Sequence, residues 1–147
     1  METIDHKLLP VETEMLNRTL AFLQANKIFY VATIDDDKPR VRPFGLVVEH
    51  EGKLYFSTGN SKPVYRQLQA NPQTEICATS PAMEWIRLAG KAVFDSNLDV
   101  KRKAFEQMPM LAGIYETPEN PSFEVFYLAD AEVTFQAFGG NPETGRL

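Results

Sequence analysis

Leu54-Tyr55-Phe56-Ser57-Thr58-Gly59-Asn60-Ser61-Lys62-Pro63 passes from an apolar, aromatic run through small hydroxyl residues to a lysine and a proline. Leu54 to Ser57 has the composition of a strand. Ser61 and Pro63 read as the cap and first turn of a helix running to about Ala70, which Asn71-Pro72 stops. A helix N-terminus presents unpaired N–H groups and the positive end of its dipole, so hydroxyls and an ammonium placed there can hold an anion such as a phosphate. An ordinary strand, turn and helix cap has the same pattern, and both readings stay open on this stretch alone.

Upstream, Leu16, Leu20 and Leu23 recur at helical spacing within Thr13 to Asn26, which predicts an amphipathic helix capped by Thr13. Ile28 to Ile34 and Arg40 to Glu49 read as two strands joined at Asp35-Asp36-Asp37-Lys38. A turn at Glu49-His50-Glu51-Gly52-Lys53 leads into Leu54, so these three strands are expected to form an antiparallel meander. Downstream, Gln73 to Thr79 reads as a strand. Glu84 to Phe94 alternates with Ile86, Leu88, Gly90, Ala92 and Phe94 on one face and Trp85, Arg87, Ala89, Lys91 and Val93 on the other. Asp99 to Met108 reads as a charged helix capped by Asn97 or Asp99, and Phe123 to Phe138 as two strands around Ala129-Asp130. Short sequential strands without βαβ alternation predict a mainly β, α+β fold: one domain over residues 1–147, an antiparallel barrel with a few peripheral helices.

The 147 residues carry a formal charge of -5, which argues against a surface that binds nucleic acid through many phosphate contacts. Met1 to Lys7 has no apolar signal region, and no window approaches the roughly 20 apolar residues of a membrane span, so a cytoplasmic location is expected. The one cysteine, Cys77, sits in an apolar run and is expected in the core. One cysteine and two separated histidines, His6 and His50, give no metal-ligand spacing, and both histidines are expected to be solvated.

Three segments together resemble the pyridoxamine 5'-phosphate oxidase-like, FMN-binding split-barrel proteins, particularly their short bacterial branch. They are Arg40-Val41-Arg42-Pro43-Phe44-Gly45, Tyr55-Phe56-Ser57-Thr58 with Ser61-Lys62 and the helix ending at Asn71-Pro72, and Trp85-Ile86-Arg87-Leu88-Ala89-Gly90-Lys91-Ala92. The resemblance implies FMN as cofactor, with Arg42, Pro43 and Phe44 along the ring. It places Ser57 and Thr58 on the ribityl chain and phosphate, Ser61 and Lys62 on the phosphate, and Trp85 and Arg87 reaching the flavin from the second subunit of a homodimer. Which of Arg40 and Arg42 faces the ring stays open, since both lie on one strand face. A proline within a strand suits an edge, where a flat ligand can approach the backbone or where pairing with another chain is blocked.

The chain ends Phe138-Gly139-Gly140-Asn141-Pro142-Glu143-Thr144-Gly145-Arg146-Leu147, without the tryptophan and arginine that close on substrate in the vitamin B6 oxidases, so that activity is not expected. The resemblance implies an FMN-dependent oxidoreductase passing electrons from a reduced nicotinamide or another donor to a small acceptor such as a nitroaromatic, a quinone or an oxidised flavin. No separate catalytic residue is assigned, because the cofactor carries the chemistry. Two alternatives stand beside it: a module that stores or senses flavin or deazaflavin without turnover, and an OB-like surface that stacks single-stranded nucleic acid on Trp85, Tyr55 or Phe44.

Overall fold

The computed structural model describes residues 10–147, so the expectations for His6 and for Met1 to Lys7 lie outside the described residues. In chain order the elements are α1 (Pro10–Ala25), β1 (Phe29–Asp35), β2 (Lys38–Phe44), β3 (Val48–His50), β4 (Lys53–Gly59), α2 (Pro63–Ala70), β5 (Gln73–Thr79), β6 (Glu84–Phe94), α3 (Leu98–Gln107), α4 (Leu111–Tyr115), β7 (Phe123–Ala137) and β8 (Glu143–Arg146). The strands form one sheet in the order β2-β1-β5-β6-β7-β4-β3, with β8 added on β7, and every pairing is antiparallel.

The two hairpins follow from their turns. Asp36 between β1 and β2, and Glu51-Gly52 between β3 and β4, take positive φ values of 62°, 48° and 78°, the hand that two-residue hairpin turns require. The Gly52 N–H also donates to the Glu49 carboxylate at 3.0 Å.

The sheet curls into a split barrel, because side chains from the two ends of the strand order meet inside it. The Phe29 ring of β1 lies 5.7 Å from Phe56 of β4, and Phe44 of β2 lies 6.3 Å from Phe126 of β7. Leu16 and Leu23 of α1, Leu68 of α2, Ile76, Ile86, Leu88 and Val133 complete this core. A second cluster lies on the outer side of β3, β4 and β7, where Val48, Tyr55, Phe123 and Val125 pack beneath Val100 and Ala104 of α3 and Leu111 and Tyr115 of α4. No helix among the described residues is long and apolar enough to cross a membrane.

Several expectations are corrected. The run Arg40 to Glu49 is two strands, β2 and β3, at opposite ends of the strand order, so the predicted meander is cut in its middle. Its first half pairs with β1 and its second with β4. Phe123 to Phe138 is one long strand, β7, because pairing with β6 resumes beyond Asp130, whose φ is 52°. The irregularity is a bulge in β7, where Asp130 and Ala131 together face the single residue Gly90 of β6, a position at which a side chain would meet the Ala129 carbonyl at 2.9 Å. α1 begins at Pro10 rather than at a Thr13 cap, and the N-cap of α2 is Lys62, without a side-chain bond, rather than Ser61. Asn97 does cap α3, its side chain accepting from the Val100 N–H at 3.2 Å. Cys77 is half-buried on the outer sheet face, since the alternation of β5 sends its neighbours Ile76 and Ala78 into the core. His50 is not solvated: its side chain is 12% exposed and its Nδ1 lies 3.0 Å from Lys103 Nζ on α3.

Phe126 touches Phe44, Phe56 and Phe94 and is fully buried, so Phe126→Ala is expected to destabilise the fold by about 3–5 kcal/mol, read as a lower denaturation midpoint in urea.

Candidate functional site

β4 delivers the opening stretch of sequence to one end of the barrel. Asn60 N–H donates to Ser122 O at 2.9 Å, and Lys62 N–H to Gly59 O at 3.1 Å, which fixes the turn against the start of β7. Gly59 leaves room for Tyr115 here: a Cβ at this position would lie 2.5 Å from the Tyr115 hydroxyl, so a larger residue would displace that side chain. Pro63 opens α2 without an N–H to leave unsatisfied, and Tyr65 N–H bonds back to Lys62 O at 3.1 Å.

α2 lies across β1, and between it and β2 runs a cleft of about 540 Å³ lined by Asp35, Arg40, Val41, Arg42, Lys62, Pro63, Val64, Arg66 and Gln67. Four of these are cations and one is an acid. Asp35 is held by Arg40, whose Nε lies 3.1 Å from its carboxylate. Arg42, Lys62 and Arg66 therefore face the cleft without a carboxylate partner of their own among the described residues.

Arg42 is the best anchored of them. Its Nη1 donates to Val31 O at 3.0 Å and to Thr33 Oγ1 at 2.8 Å, and its Nη2 donates to Gln67 Oε1 at 2.7 Å. Thr33 Oγ1 in turn donates to the same Gln67 oxygen at 2.6 Å. Burial pulls the Arg42 pKa below its ordinary value, an effect that the charge of Asp35 partly opposes.

The nine residues singled out from the sequence divide between several surfaces. Arg42 and Lys62 line the cleft. Arg40 lines it too and shares the face of Arg42, because β2 and β1 pair Arg42 with Val31 and Arg40 with Thr33. Phe44 is on that same face, where its ring enters the core, while Pro43 points to the outer face with Tyr30. Ser61 is exposed on the turn. Ser57 and Thr58, neighbours on one strand, point to opposite sides: Ser57 lies opposite Val125 of the outer cluster, and Thr58, buried, opposite Glu124. Trp85 and Arg87 lie on the outer face of β6, with Trp85 beside Arg18 and Phe135 in a groove against α1. Arg87 continues a cross-strand row Pro43, Tyr30, Cys77, Arg87, Thr134. Three strand spacings separate Pro43 from Arg87, about 14 Å, and Arg87 is not among the residues that line the cleft.

Sequence reasoning missed Thr33, Arg66 and Gln67. A hydroxyl in a strand and an amide on a helix carry no motif of their own, and only the pairing of Arg42 with Val31 brings Thr33 and Gln67 to it.

The model of pyridoxamine 5'-phosphate oxidase matches residues 15–137, a span that includes every residue of the cleft. The chain belongs to the pyridoxamine 5'-phosphate oxidase family. A NimC/NimA family protein from Clostridium acetobutylicum has 37% sequence identity and a TM-score of 0.87, the match covering 99% of this chain and 100% of that one. A pyridoxamine 5'-phosphate oxidase-related, FMN-binding protein from Nostoc punctiforme shares the fold at 19% identity and a TM-score of 0.61, covering 95% of this chain and 98% of the other. A haem-binding protein from Mycobacterium smegmatis does so at 16% identity and a TM-score of 0.72, over 95% of this chain and 59% of that one. No curated protein sequence matches the chain.

In this member of the family the Arg42 brace joins β1, β2 and α2, so removing it leaves Thr33 and Gln67 without their charged partner. Arg42→Met is expected to cost about 1.5–3 kcal/mol, the range for hydrogen bonds to a charged group, measured by urea unfolding without ligand.

Proposed function

We propose that this chain is an FMN-binding flavoprotein that works as a homodimeric oxidoreductase, passing electrons from a reduced nicotinamide or another donor to a small acceptor. The observation that carries this reading is the cation-lined cleft at the N-terminus of α2, with Arg42, Lys62 and Arg66 around it. Three cations free of carboxylates at an uncapped helix start suit a phosphomonoester dianion, so the residues present fit the phosphate end of FMN.

Bound there, the flavin supplies the electron transfer, and the protein supplies position, charge and exclusion of water. Lys62 and the first turn of α2 hold the phosphate, with Ser61 beside them on the turn. Thr58, buried on the inner side of β4, and Ser57, whose side chain faces away, both lie outside the lining of the cleft, so neither side chain is given a contact to the phosphate. The backbone of Arg42-Pro43-Phe44 would border the ring, and Arg42 would supply positive charge near it, which stabilises added negative charge. The cleft holds one acid, Asp35, already paired with Arg40, so its residues offer no separate base and leave the redox step to the cofactor.

The outer sheet face supports dimerisation. Ile28, Tyr30, Ile34 and Val41 are 63%, 50%, 36% and 68% exposed on and beside β1 and β2. An apolar sheet face of this kind suits a second copy of the chain. Trp85 and Arg87 lie on the outer face of β6, away from the cleft of their own chain, so they would meet a flavin only when presented by the second subunit. An intracellular, cytoplasmic location suits the free thiol of Cys77.

Purified protein is expected to carry, or to take up, a yellow chromophore identified as FMN by mass, and NADH or NADPH is expected to bleach it in stopped flow. Protein that stays yellow with either donor would be a flavin store, and protein that takes up no FMN would end both readings. Lys62→Ala is expected to weaken FMN binding by tenfold or more and riboflavin binding little, because only FMN carries the phosphate. Equal losses would count against this placement of the phosphate. Tyr30→Asp is expected to give a monomer in sedimentation velocity with weakened FMN binding, whereas a dimer that keeps full affinity would place the interface elsewhere.

A further inference from the structure

The Arg42 brace decides the orientation of the Gln67 amide. A guanidinium only donates, so the amide atom that meets Arg42 Nη2 at 2.7 Å is the oxygen, which also accepts from Thr33 Oγ1 at 2.6 Å. The nitrogen Nε2 is thereby turned away from both. It has no hydrogen-bond partner among the described residues, although Gln67 is only 5% exposed and lines the cleft. No fully buried side-chain nitrogen or oxygen lacks a partner among the described residues, so this Nε2 is not sealed in the interior, and the cleft is the open space that Gln67 lines. Arg42 has five N–H groups and spends three, leaving two more donors close by.

We infer that Gln67 is a phosphate-binding residue, its Nε2 donating to a phosphate oxygen on the floor of the cleft beside the unspent N–H groups of Arg42. The identity of the phosphate's carrier, FMN, rests on the function proposed above; the assignment of Gln67 to a phosphate does not. A floor made only of donors favours a group that only accepts. A hydroxyl would bring a proton that this floor does not accept, since the Gln67 oxygen already takes two bonds; the one carboxylate of the cleft, Asp35, is held by Arg40 through Oδ2. A phosphate dianion brings acceptors alone and meets its charge in Lys62, Arg66 and Arg42. Thr33, through Gln67 Oε1, is a positioning residue that holds the amide in this orientation.

The test is nitrogen–proton correlation NMR on the whole chain, following the side-chain NH2 pair of Gln67, assigned as the pair missing from Gln67→Met. FMN and inorganic phosphate are each expected to move the pair, and riboflavin to leave it in place. Gln67→Met is expected to lower FMN affinity about tenfold or more, as for a lost hydrogen bond to a charged group, and riboflavin affinity by less than twofold. Gln67→Glu keeps an oxygen for Arg42 and Thr33 but puts a carboxylate oxygen where Nε2 was; it is expected to fold and to lose FMN selectively.

The assignment is overturned if FMN binds and the pair stays still, if riboflavin moves the pair as far as FMN does, or if Gln67→Met weakens both ligands alike. It is also overturned if neither FMN nor inorganic phosphate moves the pair. A pair that responds to inorganic phosphate in a protein that does not bind FMN supports Gln67 as a phosphate ligand and overturns the flavin reading.

Discussion

A guanidinium drawn partly out of water needs acceptors for the donors that it turns toward the interior. Arg42 meets that requirement with the Val31 carbonyl, Thr33 and Gln67, and in doing so ties the last strand of the sheet to its neighbour and to the helix above. β2 has a strand on one side only, β1. Without the brace, its far side would be held chiefly by the Phe44 ring in the core. With it, α2 is fixed relative to β1 and β2, and α2 carries the turn that ends β4. The cleft between them is thus set by a hydrogen-bonded network whose members are rigid for reasons of their own burial.

The same alternation that buries one face of each strand assigns the rest of the surface. Phe29, Val31 and Thr33 of β1 point inward, so Tyr30, Ala32 and Ile34 must point out, and pairing passes this parity to Pro43, Cys77 and Arg87. The outer face is apolar over β1 and β2 and becomes charged toward β6. α3 and α4 cover the outer side of the other end, over β3, β4 and β7, and no element among the described residues plays that part over β1 and β2. The asymmetry divides the sheet into a half covered within the chain and a half whose apolar outer face stays exposed.

Much of this was legible in the sequence, wherever a local rule decides. Two-residue turns with residues tolerant of positive φ marked both hairpins, and the alternation in Glu84 to Phe94 named the two faces of β6. Leu16 and Leu23 marked the buried stripe of α1. What escaped depends on contacts distant in sequence. Nothing local distinguishes one strand of Arg40 to Glu49 from two that pair with different partners. The positive φ of Asp130 looks like a turn until β6 is seen to pair on both sides of it. Tyr55 to Lys62 is the strand, turn and helix start that its composition implies, yet the strand runs on to Gly59, its period separates the adjacent hydroxyls Ser57 and Thr58, and Lys62 itself occupies the cap position expected of Ser61. Gln67 was invisible, since an amide matters here only because Arg42 orients it.

Charge sharpens the point. The chain is acidic, with a formal charge of -5, yet the cleft gathers four cations around one carboxylate. At physiological ionic strength, screening reduces the influence of exposed charges beyond about 8 Å, so the acidic remainder of the surface does little to repel an anion already at the mouth of the cleft. Affinity must then come from the short-range terms: charge-assisted hydrogen bonds, in a place where water is partly excluded, from groups that need no rearrangement. Lys62 and Arg66 hang from flexible stems and lose rotamer freedom when they close on a ligand. Arg42 and Gln67 have lost theirs already, in folding, to one another and to Thr33. Their selectivity for an acceptor is therefore written into the fold before any ligand arrives.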